Sequence, residues 1–435
     1  MNGDGGRLTA ADAAKLFIGP RLTLARHLAG MRKNELAEHI GKTPTAIASY
    51  EAGRSRPAAA TVAQLCIALG VEPAFFLATP GTERSDHTSL EPHYRSLRTT
   101  TQLVRNQATA YAWLVHDIAS VFERHVEMPD VDVPAYNPKS SDASDPATSA
   151  RSLRENWNLG TQPIRHVLRL AENHGIICAF SPFQIASVDA YSFESKIRPI
   201  IILNSLKGDY YRQRWDLAHE IGHLVLHRDA EPGGHTVETE AHRFAAELLL
   251  PAQSVREQLP NRPVWSRLQA LKEHWGVSIQ AILYRARELG VYNEVTYRNA
   301  MQTMSQQGWR RQEPGTRPVV EQPSLFPGAL KLLEDSGISA TQLSSEARVP
   351  MNMFRVITAR NIDDIENEHQ VWAQAPSPEG DQHISNVVSL LANTQRLRAR
   401  KERSSKTGPY IIYGWLQSDP RTAHSVTGKT CDTAR

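Results

Sequence analysis

The sequence predicts a multidomain chain, mainly α-helical with a small β-sheet, in which an all-α N-terminal module precedes an α+β domain. Three observations carry this. At 435 residues the chain exceeds what one core organises, so two or three domains are expected. Residues 20–78 read as short helices broken by Gly and Pro. Further on, the β-branched stretch PIIILN (199–204) stands before WDLAHEIGHLVLH (215–227), a strand followed by an amphipathic helix.

Composition narrows the class. With 40% apolar and 22% charged residues the chain is globular rather than low-complexity. A net charge of +3 excludes a polycation, so any affinity for nucleic acid must sit in a local patch. Cys66, Cys178 and Cys431 form no CxxC pair, which argues against a disulfide framework or a cysteine zinc site and fits reduced thiols in the cytoplasm. The N-terminus lacks the basic start and apolar core of a signal peptide, and no stretch approaches the ~20 apolar residues of a membrane span.

In order along the chain, residues 1–19 form an N-terminal tail and 20–78 the helical module. Residues 79–149 are a connector: a long helical pattern over 94–126, with Leu103, Ala110, Leu114, Ile118 and Phe122 near one face, and then a Pro-, Ser- and Asp-rich linker over 131–150. Residues 150–300 hold a helix near 163–174, strands at 175–180 and 199–204, and helical stretches near 212–228, 237–250 and 264–289. A C-terminal helical region, 301–360, contains a helix pair at 324–357. Residues 361–435, with the basic run RLRARKERSSK beside YIIYGWL, are unassigned.

The chemistry concentrates in His219-Glu220-Ile221-Gly222-His223. Four residues apart on a helix, His219 and His223 share one face and can hold one Zn²⁺ through nitrogen. Glu220, beside them, is the candidate general base that passes a proton to the leaving amine. His227 lies another four residues on, but eight residues of helix rise about 12 Å, too far for it to share the ion with His219. The third ligand is sought in VETEAHRFAAELLLP (237–251). There the apolar face centres on Ala241, Phe244, Ala245, Leu248 and Leu249, and Glu238 falls about 60° from its middle. Glu238 is the candidate ligand and Glu240, about 100° away, the reserve.

In the N-terminal module, Lys33 to Ile40 forms one short helix, Gly41 turns the chain, and Thr43 caps a second helix that begins at Pro44. This is a helix-turn-helix, with Thr45, Ala46 and Ser49 of the second helix facing a DNA major groove. Residues 20–60 carry seven Lys or Arg against three Glu, and Arg54 and Arg56 suit phosphates. Lys33, Thr43, Thr45, Ala46, Ser49, Arg54 and Arg56 form the candidate DNA-contacting set. The reading positions are small and lack bidentate side chains, so sequence readout is weak or lies partly in DNA shape.

Residues 22–77, with NELAEHIGKTPTAIASYEAGRSRP and LCIALGVEPAFFL, resemble the Xre/Cro-like helix-turn-helix, although Arg32-Lys33 replaces the usual Ser-Gln opening of its first motif helix. Residues 150–300 resemble the ImmA/IrrE metallopeptidases through LRENWNLGTQPIRHVLRLAENHGI, RQRWDLAHEIGHLVLH and VETEAHRFAAELLLP, and HYRSLRTTT (93–101) is similar to the connector of proteins that fuse the two. The resemblance implies a gluzincin-like domain with two His and a downstream Glu on zinc. It also implies cleavage of a DNA-binding repressor that controls stress-response or mobile-element genes. Expected partners are operator DNA and a protein substrate, without a membrane, and the module is compatible with a homodimer. The alternative is a transcriptional regulator whose peptidase-like domain senses without cutting. An extended substrate is expected to add alongside the Ile200–Leu203 strand.

Overall fold

The computed structural model describes residues 8–78, 101–135, 145–181, 189–195, 197–204, 208–227 and 234–359, all within one compact unit. The basic run and YIIYGWL of the C-terminal segment, and the connector motif up to Thr100, lie outside the described residues. Seventeen helices and one three-stranded sheet are present among them.

Five helices open the chain: α1 (Ala10–Lys15), α2 (Gly19–Leu28), α3 (Lys33–His39), α4 (Pro44–Glu51) and α5 (Ala59–Leu69), followed by a 3-10 turn at Pro73–Phe76. α1 lies inside residues 1–19, the stretch expected to be a tail. Its start is a capping box, in which the Asp12 amide donates to the Thr9 hydroxyl and the Thr9 amide to the Asp12 carboxylate. Buried Ala13 and Phe17 then fix it to the module, Phe17 stacking on Phe76 at 5.2 Å. Gly41 takes a left-handed φ of 62° between α3 and α4, and the Ala46 amide donates to Thr43 Oγ1 at 3.2 Å. Leu36, Ala37, Ile40 and Ile47 are buried where the two helices meet.

α6 (Gln102–Phe122) departs from the expected one-sided pattern: every residue from Ala110 to Phe122 is buried. A helix apolar over most of its circumference belongs inside a protein, and α6 is the axis on which other layers pack. On one side lies α2, joined by an ion pair between Arg21 and Asp117, both essentially without solvent contact. Arg21 also lies over the Phe75 ring, and it donates to the carbonyls of Phe75 and Arg348. The helix-turn-helix is therefore bolted to the rest of the unit.

The strands are β1 (Ile177–Ser181), β2 (Ala190–Glu194) and β3 (Pro199–Asn204), in the order β1-β3-β2. β3 runs parallel to β1, with Cys178 opposite Ile201, and antiparallel to β2, with Tyr191 opposite Ile202. Both faces are covered. Ile177, Ala179, Tyr191, Phe193, Ile200 and Ile202 join the core around α6, whereas Cys178, Phe180, Ala190, Ile201 and Leu203 join a second core. The expectation that a substrate adds beside Ile200–Leu203 is thus corrected: β3 is the central strand and both its edges are already paired.

The second core is built by α7 (Pro146–Asn156), α8 (Val167–Asn173), α9 (Tyr210–Leu226), α10 (His235–Leu249), α11 (Ala252–Gln258), α12 (Trp265–Trp275), α13 (Ile279–Glu288) and α14 (Glu294–Gln306). α7 begins inside the stretch read as linker, because Asp145 caps it by accepting from the Thr148 amide and Pro146 pre-sets its first turn. The stretch 264–289 is two helices, divided where Gly276 adopts a φ of 66° and Ser278 caps α13. Helices α15 (Leu325–Asp335), α16 (Ala340–Ala347) and α17 (Met351–Thr358) replace the expected pair and return to the first core, where Phe326 and Phe354 pack on Phe122. No described helix is long and apolar enough to cross a membrane.

Candidate metal centre

Two helices build the site. α9 starts at Asp209, whose carboxylate accepts from the amides of Tyr211 and Arg212 at 3.0 and 3.1 Å. One turn in, buried Arg214 anchors it by donating to the carbonyls of Gly276 (2.9 Å), Ile164 (2.6 Å) and Arg165 (3.2 Å) and to Glu321 (2.6 Å). Burial alone would raise Glu321. The hydrogen bond with His166 and the Arg214 charge outweigh it and hold the carboxyl below its usual range. α10 crosses α9 at Gly222, where a β-carbon would stand 2.9 Å from the Phe244 ring, so only glycine permits this approach. The far end of α10 is held by Arg154, which donates to the Leu248 carbonyl, and by the Arg285–Glu247 pair.

This packing brings His219, His223 and Glu238 together, one ligand atom from each lying within 4.8 Å of the others. The two Nε2 atoms are 3.0 Å apart, and Glu238 oxygens lie 3.4 Å from His219 Nε2 and 3.8 Å from His223 Nε2. Donors on a tetrahedral zinc at about 2.0–2.2 Å stand roughly 3.2–3.6 Å apart, so the set has the chemistry and spacing of a zinc cradle. The histidines are 2–3% exposed, and Glu220, next to His219 on α9, is 3% exposed.

Glu240 does not join the cluster. It turns to His227, accepting at 2.9 Å from its Nε2, while His227 Nδ1 meets His223 Nδ1 at 3.1 Å. Burial pushes His227 below its ordinary value, partly opposed by Glu240. His242, which the sequence reading missed, packs its ring 4.5 Å from that of His219 and 6.3 Å from Trp215. The signal was available, since His242 follows Glu238 by four residues and so shares its helix face.

The candidate DNA-contacting residues cluster on α3, α4 and the loop after it, but not all are equally disposed. Lys33 pairs with Glu51 at 3.2 Å, Thr43 is engaged as the cap of α4, and Ser49 Oγ meets Ser55 Oγ at 2.8 Å. Arg56 donates to the Lys15 carbonyl at 2.8 Å, so it ties α1 to the module. Arg54 and Thr45 are exposed and Ala46 is half-buried.

Fold and site together define a DNA-binding helical module fused to a domain of metallopeptidase design. The comparisons agree: residues 23–76 match the helix-turn-helix family, and residues 171–287, from α8 through α13, match the IrrE N-terminal-like domain, a metallopeptidase family. The chain thus carries the fusion of an Xre/Cro-like module with an ImmA/IrrE-like domain. No curated protein matches the chain.

Proposed function

We propose that the chain is a zinc-dependent metallo-endopeptidase held at operator DNA by its helix-turn-helix, acting in the cytoplasm. Its substrate on this reading is a transcriptional repressor whose loss frees stress-response or mobile-element genes. The observation that carries the proposal is the convergence of His219, His223 and Glu238 beside Glu220, inside the stretch that matches a metallopeptidase family. His219, His223 and Glu238 would hold the ion. Zinc, when bound, supplies the Lewis acidity that polarises a scissile carbonyl and acidifies water. Glu220 takes the proton of the attacking water and returns it to the departing amine. Leu217 and Ile221, fully buried on the opposite face of α9, fix the helix to the core behind the ligands. Cys66 and Cys178 are free thiols, in keeping with a reducing compartment.

The test is Glu220→Gln in the full-length protein, mixed with a candidate repressor substrate. Zinc content equal to the parent's, with cleavage abolished, is the expected result; a variant that cuts as fast as the parent sinks the mechanism.

A second reading, a regulator that senses metal without cutting, is favoured by one observation: the helix-turn-helix, α6 and one face of the sheet of the metal domain share a single apolar core. It predicts operator affinity that changes with zinc while no protein is cleaved.

A further inference from the structure

We infer that His227 and Glu240 form a tautomer lock that fixes His223 in its metal-binding form, which makes His227 a positioning residue of the metal centre. The inference rests on the reading of His219, His223 and Glu238 as ligands. His223 can bind an ion through Nε2 only if its single ring proton sits on Nδ1. That atom lies 3.1 Å from His227 Nδ1, and His227 Nε2 lies 2.9 Å from Glu240 Oε2. A carboxylate only accepts, so the His227 proton is drawn to Nε2. His227 Nδ1 is left with a lone pair that accepts the Nδ1 proton of His223. Every hydrogen bond in the row Glu240–His227–His223 then points one way, and the His223 Nε2 lone pair faces His219 and Glu238. With the order reversed, the Nε2 lone pair of His227 would face a carboxylate and the His223 proton would move to Nε2, which closes that ligand.

The geometry is built for this role. His227 ends α9 as its C-cap, with φ −126° and ψ 25°, and its amide still donates to the His223 carbonyl at 3.0 Å. It is 4% exposed, so solvent does not compete for its ring. Glu240 reaches it from α10, two residues beyond Glu238, so a single helix supplies both the carboxylate that faces the ion and the one that orients a ligand. Partners at this remove typically change metal affinity 10–100-fold.

The test is zinc affinity of the full-length protein, by competition with a chromophoric chelator, together with ring ¹H–¹⁵N correlation spectra of zinc-loaded, histidine-labelled parent. His227→Leu should lose about 10–100-fold in affinity. His227→Gln, whose amide oxygen can still accept from His223 Nδ1, should recover most of that loss. The parent spectrum should show His223 protonated at Nδ1 and His227 at Nε2, a signature that a merely structural role for His227 would not fix. Unchanged zinc affinity in His227→Leu, or a His227 proton on Nδ1, overturns the lock while leaving the ligand reading in place. A parent that binds no zinc overturns the ligand reading, and the lock with it.

Discussion

Gly222 and Phe244 meet so closely that a β-carbon on Gly222 would lie 2.9 Å from the ring, 3.2 Å from Cγ and 3.3 Å from the Phe244 Cβ. The contact sets the distance between the helix that carries His219 and His223 and the helix that carries Glu238. Gly222→Ala should therefore push α10 away, costing about 1–3 kcal/mol of stability and weakening zinc binding together. Adding Phe244→Leu should restore part of both, and denaturation with metal competition across the four proteins of the cycle measures it. Additive effects of the two substitutions would show that the contact does not set the spacing.

The buried Arg21–Asp117 pair makes a second prediction. Asp117→Leu leaves a guanidinium without its counter-charge in the core and should cost about 3–5 kcal/mol, whereas Arg21→Leu with Asp117→Leu should cost less than either single change. Urea unfolding of the three variants decides it; a double variant as damaged as the sum of the singles would refute the coupling.

Burial, aided by the adjacent Arg26 charge, pushes His27 down to about 4. Arg26 Nη2 lies 3.2 Å from His27 Nε2, an arrangement that requires the neutral ring as acceptor. The unfolded chain binds this proton near pH 6.5, so the contribution of His27 is full above that pH and is lost as pH falls towards about 4. Melting temperature against pH should fall less steeply over that window in His27→Gln than in the parent. Equal slopes would count against it.

Arg54, exposed after α4, tests the DNA half. Arg54→Ala should weaken binding about equally on every sequence and reduce the salt slope of log K by about 1. A loss confined to one sequence would instead make Arg54 a base reader.

Much of this was legible in the sequence, and the rest was hidden for identifiable reasons. PIIILN has the bounds of β3 because Pro199 and Asn204 punctuate a β-branched run. The inward direction of Glu238 follows from helical period alone. β2, AYSFE, escaped because its alternation is short and its Ser192 is buried against the second core. The order β1-β3-β2 is set by which layers cover the sheet, and no local pattern encodes that. Likewise α6 shows a periodic face in sequence, yet the module, the sheet and the C-terminal helices enclose it from Ala110 to Phe122. Reach alone excludes His227 as a ligand, but its pairing with Glu240 depends on how α10 crosses α9.

One consequence of the continuous core around α6 is thermodynamic. The buried residues of the helix-turn-helix, of α6 and of one face of the sheet belong to a single apolar cluster, so these elements should melt together. A ligand of the native state then protects all of it: DNA at one hundred times its dissociation constant adds about 2.7 kcal/mol. DNA bound to the N-terminal module would therefore also stabilise the sheet, whose other face packs the second core that holds α9 and α10.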